Sequence, residues 1–385
     1  MKAYGFLNVE LNEHFTNLHD VIPSAEDIAY LGNEQLINGD KWRFLEHSLL
    51  HDGIYVGWHI GDMFREGTYG KIYKALRMVV KRRKDTLFDV LELPEDVIVK
   101  STEPTPGDTI LPPGDVTAHT SEALLHVLAW QTIQTTATPW GIPRPYEVFG
   151  DRCTGGWKSM SFCMSYVNGR VLHSFIQKYW KTTTKTENSQ SFVQILAQIA
   201  YILYHLQDTL RLNHRDIKVN NVMIRKAPQQ VTLEIDGASV STEYEITVID
   251  FGFACVGFSP PKDPTTVFQA GSWFPMGEIC CKLGRDIAQL IYCIHCYFPI
   301  DKYLLPEIAD IVRAWMKVET SSGITDMLNG FNKEGVPLRK AHPEYHTGIY
   351  EFLRRPDVDP ELCAPLTIFK ACQSLNSSFT YHTRE

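Results

Sequence analysis

The period of the hydrophobic positions changes part-way along the chain. Apolar residues alternate from 54 to 60, which is typical of a strand, and a second apolar run covers 72–80 after a glycine turn. From 192 to 210, apolar residues recur three and four positions apart, which is typical of a helix packed against a core. Strand patterns dominate the first half of the chain and helical patterns the second. This distribution predicts two lobes with a cleft between them, where small-molecule sites often lie.

Turn residues and local periodicity predict several shorter elements. They are a helix start at 24–27, a strand at 97–100, a loop at 103–115, a helix at 117–133, a hairpin turn at 151–156, a solvated stretch at 181–190, and short strands at 222–224 and 246–249 around a polar insertion. From 286 to about 375 the patterns are mainly helical.

Composition narrows the class of protein. Of 385 residues, 44% are apolar and 21% are charged, so the chain can bury a core and is neither disordered nor collagen-like. The net charge of −8 argues against a broad surface that binds nucleic acid. Nine cysteines, an odd number in a long chain, indicate a reducing compartment rather than a disulfide scaffold. With no signal-peptide pattern and no apolar run of membrane-spanning length, we expect a soluble, intracellular, cytoplasmic protein, and nuclear or virion association stays open.

Two motifs carry the candidate chemistry. The stretch His214-Arg-Asp-Ile-Lys-Val-Asn-Asn221 follows the long predicted helix, and Asp250-Phe-Gly252 follows a predicted strand. One carboxylate and one amide oxygen are hard ligands that suit Mg²⁺, and a further carboxylate can orient an attacking hydroxyl group. In this order and context, the motifs resemble the catalytic loop and the metal-binding triplet of eukaryotic-type Ser/Thr protein kinases.

The resemblance implies an α+β, bilobal, protein-kinase-like fold. A small strand-rich N-lobe would cover about 51–165 and a larger helical C-lobe about 166–375, with an N-terminal extension at 1–50 and a tail at 376–385. It also implies ATP and Mg²⁺ as cofactors, with Mn²⁺ as an alternative, and Ser or Thr hydroxyls of protein substrates as acceptors. No nucleic-acid or membrane partner is expected, and the oligomeric state is left open.

The resemblance also assigns roles to the two motifs. Asp216 would accept the proton of the substrate hydroxyl, and Lys218 would offset charge on the γ-phosphate in transfer. Asn221 and Asp250 would supply the protein ligands of Mg²⁺. Lysine at position 218 is the Ser/Thr-type pattern of the family, which favours Ser or Thr over Tyr as the acceptor.

The first half of the chain is expected to hold the nucleotide. Glycines at 67 and 70 resemble the later part of the glycine-rich loop, where backbone N–H groups approach phosphates. Arg65 stands where the family has the first glycine of that motif, and Ile98 where it commonly has alanine. The expected nucleotide-binding residues are Gly67, Gly70, Ile72, Lys100 for the α- and β-phosphates, Glu122 as the partner of Lys100, Met164 behind the adenine, and Val167 in the hinge.

Regulation is expected on the segment that follows residue 252. Arg215 suggests control by phosphorylation, because an arginine there can pair with a phosphate on that segment. The hypothesised acceptors are Ser259, Thr265 and Thr266. Residues 271–278 diverge from the family pattern, so peptide specificity cannot be transferred, although Ser272 could contact the catalytic loop. Asp286 resembles a buried aspartate that supports this loop, and a helix cap is the alternative.

Two other functions stay open. A pseudokinase-type, ATP-binding scaffold is motivated by Arg65, Ile98 and the divergent 271–278 segment. A small-molecule kinase of the aminoglycoside or choline type fits less well, since such enzymes usually lack the Arg215 and Lys218 pattern. The pair Cys293 and Cys296 has a metal or redox spacing but favours core packing, because its surroundings are apolar. The basic run at 81–84, in an apparent insertion at 81–95, favours a solvated loop.

Overall fold

The computed structural model describes residues 29–37, 40–46, 54–67, 70–84, 87–104, 107–257, 267–270, 280–320 and 360–382. The helix start predicted at 24–27 lies outside these ranges. The strands are β1 Ala29–Ile37, β2 Asp40–Glu46, β3 Ile54–Gly67, β4 Gly70–Lys84, β5 Leu87–Thr102, β6 Pro145–Cys153, β7 Gly156–Ser165, β8 Arg170–Val171, β9 Leu212–Asn213, β10 Val222–Ile235, β11 Ala238–Val248, β12 Cys255–Gly257 and β13 Val267–Gln269. The helices are α1 Pro113–Gln134, α2 Leu172–Tyr179, α3 Lys185–Leu210, α4 Arg285–Tyr297, α5 Ile300–Tyr303, α6 Pro306–Trp315 and α7 Pro365–His382, with a 3₁₀ turn at Pro360–Cys363.

The first seven strands close into a barrel in the order β1-β2-β3-β4-β5-β7-β6. The closing contact is a parallel pair in which Ala29 lies opposite Phe149. Alternate side chains fill the interior, where the rings of Trp58 and Phe149 stack with their centroids 5.1 Å apart. The buried interior residues are Leu45, Val56, Trp58, Ala75, Val79, Val97, Val99, Tyr146, Phe149 and Cys163. The boundary expected at residue 50 therefore does not coincide with a break in the sheet, since residues 29–46 share it with residues 54–165.

The expected loop at 81–84 is part of a long hairpin, so that prediction is wrong. β4 continues to Lys84, β5 begins at Leu87, and Lys81 lies opposite Asp89 in the ladder. Cross-strand pairs of opposite charge stabilise a strand even where both faces are solvated. Arg83 forms an ion pair with Asp89, and residues 81–83 are exposed, as a solvated segment requires.

Arg77 joins three strands of the barrel at the base of this hairpin. Its guanidinium group donates to Glu147 of β6 at 2.8 Å, and to Glu92 and Glu95 of β5 at 3.0 and 3.2 Å. Arg77 and Glu147 are both buried. A buried guanidinium is tolerated when its donors are paired, so this cluster holds the irregular part of β5 against β6.

Helix α3 begins earlier than its apolar pattern predicted. Its first residue is Lys185, and Thr184 forms a capping box with Glu187, because each side chain bonds the backbone N–H group of the other residue. Asn188 and Ser189 are buried, so part of the segment expected to be solvated at 181–190 belongs to the core. The larger hydrophobic core of the molecule packs α3 against α1, α4 and α7.

The two short strands predicted around a polar insertion are the ends of one long hairpin. β10 and β11 pair from Val222–Val248 to Ile235–Ala238 and turn at Asp236 and Gly237, both with positive φ. An Asp-Gly pair favours this kind of turn because both residues reach the left-handed region at low cost. The buried residues of the distal part of the hairpin are Leu233, Ile235, Ala238 and Val240.

Cys255 and Cys280 form a disulfide, which the sequence did not predict. The bond connects β12 to the segment before α4 and spans residues 256–279. Cys293 is buried in α4 and Cys296 is half-buried, and burial raises the pKa of each thiol, to about 12 and about 11, so the core-packing prediction is consistent with their surroundings. No helix within the described ranges has the length and hydropathy needed to cross a membrane.

Candidate active site

A lysine and two carboxylates from three elements form the first part of the site. Lys100 Nζ donates to Glu122 Oε1 at 2.6 Å and to Asp250 Oδ1 at 2.9 Å. The side chains of Lys100 and Glu122 are 12% and 10% exposed, whereas that of Asp250 is 39% exposed. The lysine is therefore enclosed, while the Asp250 carboxylate opens to solvent.

The strand alternation explains why Lys100 points to this site. Val97 and Val99 of β5 face the barrel interior, so Lys100 projects from the opposite face toward α1. Helix α1 begins with a proline at its first position, which suits the fixed φ of that residue and moves the helix start to Pro113 from the predicted 117. Glu122 lies on the buried face of α1, which faces β5.

The charges of the three groups are strongly coupled. Burial alone would raise the pKa of Asp250, but the Lys100 ammonium outweighs it and lowers this pKa to about 2. Burial lowers the pKa of Lys100, yet Asp250 and Glu122 together raise it above its usual value. Burial raises the pKa of Glu122, and Lys100 offsets only part of that rise. Asp250 is thus ionised and Lys100 cationic at neutral pH.

The second part of the site is the loop between β9 and β10. Lys218 Nζ lies 3.0 Å from Asp216 Oδ2, and Asn221 Nδ2 donates to the same oxygen at 2.7 Å. Asn221 Nδ2 also donates to the backbone carbonyl of Asp216 at 3.0 Å. Asp216 is buried, and Lys218 is 19% exposed. The three residues predicted from the loop motif therefore lie in direct contact, and their catalytic roles stay predictions.

Asp286 anchors the backbone at the start of this loop. Its carboxylate accepts the backbone N–H groups of His214 and Arg215, each at 2.9 Å, and Asn213 Nδ2 at 3.1 Å. Asp286 is fully buried, and the N-cap of α4 is Gly284, so the alternative of a helix cap does not apply. Asn213 was not singled out from the sequence, although a polar residue in the buried stretch 212–217 was an available signal.

Four rings connect this loop to α1 and the barrel. The ring centroids are 5.1 Å apart for Phe162 and His126, 5.2 Å for His126 and Phe251, and 4.8 Å for Phe251 and His214. His126 Nε2 also lies 2.7 Å from the Pro143 carbonyl, which fixes the ring. His126 was not predicted from the sequence, and its signal is its place one helical turn after Glu122.

The glycine turn lies at the end of the hairpin formed by β3 and β4. Gly67 pairs with Gly70, and Thr68 and Tyr69 between them lie outside the described ranges. Gly70 has φ of +143°, and a Cβ there would come within 2.5 Å of the Ser101 carbonyl. Only glycine suits this position, because both the backbone conformation and the close approach exclude a side chain. Ile72 lies opposite Lys100 in the ladder, so the turn leads directly to the lysine.

The expected hinge follows β7. Met164 is buried and lies opposite Ile98 of β5, and Val167 follows the end of the strand and is half-buried. Ser165 anchors the segment, because its N–H group donates to the Arg144 carbonyl at 2.8 Å and its hydroxyl accepts the Arg144 N–H group at 3.0 Å. The structure thus gives Met164 and Val167 positions on either side of a fixed residue.

The donor set around Asp250 fits a small divalent cation. Asp250 supplies an ionised carboxylate, and Asn221 an amide oxygen, since its nitrogen is engaged with Asp216. A Cβ at Gly252 would lie 3.3 Å from Asp250 Oδ1 and 3.4 Å from Glu122 Oε2, so glycine keeps the space beside both carboxylates clear. Within the described ranges, no group of three or more His, Cys, Asp and Glu residues is arranged to hold a metal ion.

The expected regulatory residues are only partly described. The hypothesised phosphate acceptors, and Ser272, lie outside the described ranges: Ser259, Thr265 and Thr266 within 258–266, and Ser272 within 271–279. Arg215 is buried with φ of +64°, and its guanidinium donates to Gln269 Oε1 at 3.0 Å. Gln269 belongs to β13, so Arg215 connects the catalytic loop to the described end of this segment.

Comparison with known families gives one match that includes part of this site. The family model described as the protein kinase domain matches residues 141–285. Residues 141–285 are thus similar to a protein kinase domain, and the match covers less than half of the chain. The kinase match includes the expected hinge, the 214–221 loop and Asp250, whereas Lys100, Glu122 and the glycine turn precede it. Protein kinase domains generally transfer phosphate to proteins and use ATP with Mg²⁺. No curated protein gives a significant match to the chain.

Proposed function

We propose that this chain is a Ser/Thr protein kinase that transfers the γ-phosphate of ATP to protein hydroxyls. The observation that carries the proposal is the contact of Lys100 with both Glu122 and Asp250. Two carboxylates from distant parts of the sequence meet at one lysine ammonium group, an arrangement that suits a nucleotide phosphate site. We further propose a bilobal kinase fold, with the barrel as the strand-rich lobe and the chain from residue 166 onward as the helical lobe.

Each residue of the site has a role that follows from its contacts. Lys100, fixed by Glu122, would bind the α- and β-phosphates, and its bond to Asp250 would loosen when phosphate oxygens share the ammonium group. Asp250 and Asn221 would hold Mg²⁺, which supplies positive charge to the phosphate oxygens when it is bound. The β3–β4 turn would place backbone N–H groups beside the phosphates.

The catalytic loop would then handle the acceptor. Asp216 Oδ2 already receives hydrogen bonds from Lys218 and Asn221, which fixes the orientation of the carboxylate. A substrate hydroxyl at this carboxylate would lose its proton to Asp216 as its oxygen bonds the γ-phosphorus, while the bond from that phosphorus to the β–γ bridging oxygen breaks and ADP leaves. Lys218 would offset charge on the transferred group. Lysine two positions after Asp216 also supports Ser or Thr as the acceptor, by resemblance to the family pattern.

A pseudokinase-type scaffold is the second candidate. Ile98 is half-buried opposite Met164, and it packs with the cluster that contains Phe162 and Met160. A larger side chain where the family commonly has alanine narrows the space for adenine, which favours weak nucleotide use. Arg65 in place of a glycine points in the same direction.

The test compares the wild type with Asp216→Asn in a radiolabelled-ATP assay with Mg²⁺. The acceptors are the chain itself, casein, histone and myelin basic protein, and Asp310→Asn on the exposed face of α6 is the matched control. We expect Asp216→Asn to lower transfer at least about 100-fold, because a general base contributes on this scale. Phosphoamino-acid analysis then distinguishes Ser and Thr from Tyr.

Three outcomes contradict the kinase proposal. Transfer that does not depend on Asp216 removes that residue from the mechanism. No transfer to any acceptor, with a thermal shift on adding Mg·ATP, favours the scaffold. Absence of both transfer and thermal shift contradicts the two candidates together.

A further inference from the structure

A second polar contact joins β5 to α1 beside the ion pair of Lys100 and Glu122. Thr102 Oγ1 lies 3.1 Å from His119 Nδ1. Thr102 follows Lys100 by two residues on the same face of the strand, and His119 precedes Glu122 by three residues on the same face of the helix. The two contacts therefore lie side by side between one strand and one helix, and we call Lys100–Glu122 the first rung and Thr102–His119 the second rung.

Two rungs constrain the helix in a way that one cannot. Helix α1 packs against α3, β6 and β7, and the long, flexible side chain of Lys100 adds one adaptable contact with β5. A second contact, displaced along both elements and made by shorter side chains, fixes the local position of the helix against the strand more closely. His119 is 4% exposed and sits on the buried face of α1, so the second rung is shielded from competing water.

The chemistry of His119 suits a neutral connector. Burial, and then the nearby Lys100 cation, lower the pKa of His119 to about 3, so its ring is uncharged at neutral pH. A cationic side chain at this position would repel Lys100. A neutral imidazole accepts or donates one hydrogen bond at Nδ1 without disturbing the charges of the ion pair.

The glycine turn meets the same strand at this level. The Ser101 carbonyl, between the two rungs, is the group that a Cβ at residue 70 would contact, and Thr102 Oγ1 would lie 3.6 Å from that Cβ. The strand end therefore has α1 on one side and the turn that is expected to cover the phosphates on the other. A displacement of Thr102 would therefore move both α1 and the glycine turn.

We propose that His119 and Thr102 are positioning residues. By fixing α1 against β5, they raise the affinity of the nucleotide site for the phosphate groups of the nucleotide. The inference rests on the proposed nucleotide site. It concerns phosphate recognition alone, because the adenine is expected at the hinge, near Met164 and Val167. A nucleoside without phosphates should therefore bind independently of the His119–Thr102 contact.

The test measures the dissociation constants of Mg·ATP and of adenosine by titration calorimetry. Thr102→Val removes the hydroxyl at nearly constant volume, and Thr102→Ser retains it. Thr132→Val is the matched control, because Thr132 is also buried but lies on α1 itself, where its hydroxyl donates to the Leu128 carbonyl of the same helix. Thermal denaturation of each variant checks that it is folded.

We expect Thr102→Val to weaken Mg·ATP binding about fivefold, which corresponds to the loss of about 1 kcal/mol from one hydrogen bond. Adenosine binding should change less than twofold, and Thr102→Ser should restore Mg·ATP binding to within twofold of the wild type. The double variant of Thr102→Val and His119→Leu should bind Mg·ATP no more weakly than the weaker single variant, because either substitution already removes the contact between the two residues.

Each remaining result overturns the inference. Unchanged Mg·ATP binding in Thr102→Val means that the contact does not position the phosphate site. Equal losses for Mg·ATP and adenosine, or additive losses in the double variant, mean a general structural role. A wild type that binds neither compound contradicts the proposed nucleotide site itself, and thereby separates that failure from the failure of the positioning role.

Discussion

The support of the 214–221 loop by Asp286 gives the sharpest prediction about stability. Asp286→Ala removes an acceptor that receives three N–H groups at 2.9, 2.9 and 3.1 Å, in a site with no solvent exposure. Each buried donor left without an acceptor costs about 1–3 kcal/mol, and the three costs overlap because they share one cavity. Arg285, also fully buried, has an Nη1 atom 3.4 Å from the same carboxylate and would lose part of its compensation. We therefore expect the free energy of unfolding to fall by about 3–5 kcal/mol.

The assay is urea unfolding followed by tryptophan fluorescence, with Asp310→Ala as the control. Asp310 is 67% exposed and pairs with Arg313 on the surface of α6, so its loss should cost less than about 1 kcal/mol. Asp286→Asn keeps one acceptor oxygen but turns the other into a donor that faces N–H groups, and should fall between the two alanine variants. Equal stabilities of Asp286→Ala and Asp310→Ala would show that the Asp286 carboxylate does not support this loop.

Two further predictions concern a titration and a disulfide. Because the pKa of Asp250 is about 2 in the fold against 3.8 for the free group, its pairing with Lys100 stabilises the fold above pH about 4. The difference in unfolding free energy between the wild type and Asp250→Asn should therefore shrink as pH falls from about 4 to about 2, and a constant difference across that window contradicts the pairing. Reduction of the Cys255–Cys280 bond should lower the free energy of unfolding by about 3 kcal/mol, since the bond closes a loop of residues 256–279. The stability of Cys255→Ser should not change with reductant, whereas that of Cys153→Ser, which replaces an exposed free thiol, should change as in the wild type. A wild-type melting temperature that stays the same on adding reductant would contradict the disulfide.

Local patterns predicted elements whose environment is set by their own residues. The three-and-four spacing from 192 to 210 gave α3, and the alternation from 54 to 60 gave the start of β3. The same reasoning failed where stability comes from a partner strand. Lys81 was predicted to be solvated, and its side chain is exposed, yet it belongs to β4 and lies opposite Asp89 of β5. This pairing depends on the partner strand, so the residues around Lys81 do not predict it by themselves. The Asp236-Gly237 pair was an available hairpin signal that went unused.

The site was more accessible to sequence reasoning than the fold. The resemblance to protein kinase motifs selected Lys100, Glu122 and Asp250, which the structure brings into contact, although their roles stay predictions. Contacts made by ordinary residues could not be found in this way. Nothing local marks His119 as the partner of Thr102, or Cys255 as the partner of Cys280, because each pair is defined by the packing of distant elements.

Barrel closure has a consequence for the order in which the chain acquires structure during synthesis. Ala29 pairs with Phe149, so β1 must wait for about 120 further residues to be made before its last neighbour exists. Loop-closure entropy grows only slowly with length, so this separation limits the rate of closure more than the final stability. Until then β1 and β3–β5 present an open edge and an apolar face to other nascent chains. A chain begun at residue 51 would keep that opening permanently, and its yield of folded protein should depend on holding the temperature and the synthesis rate low.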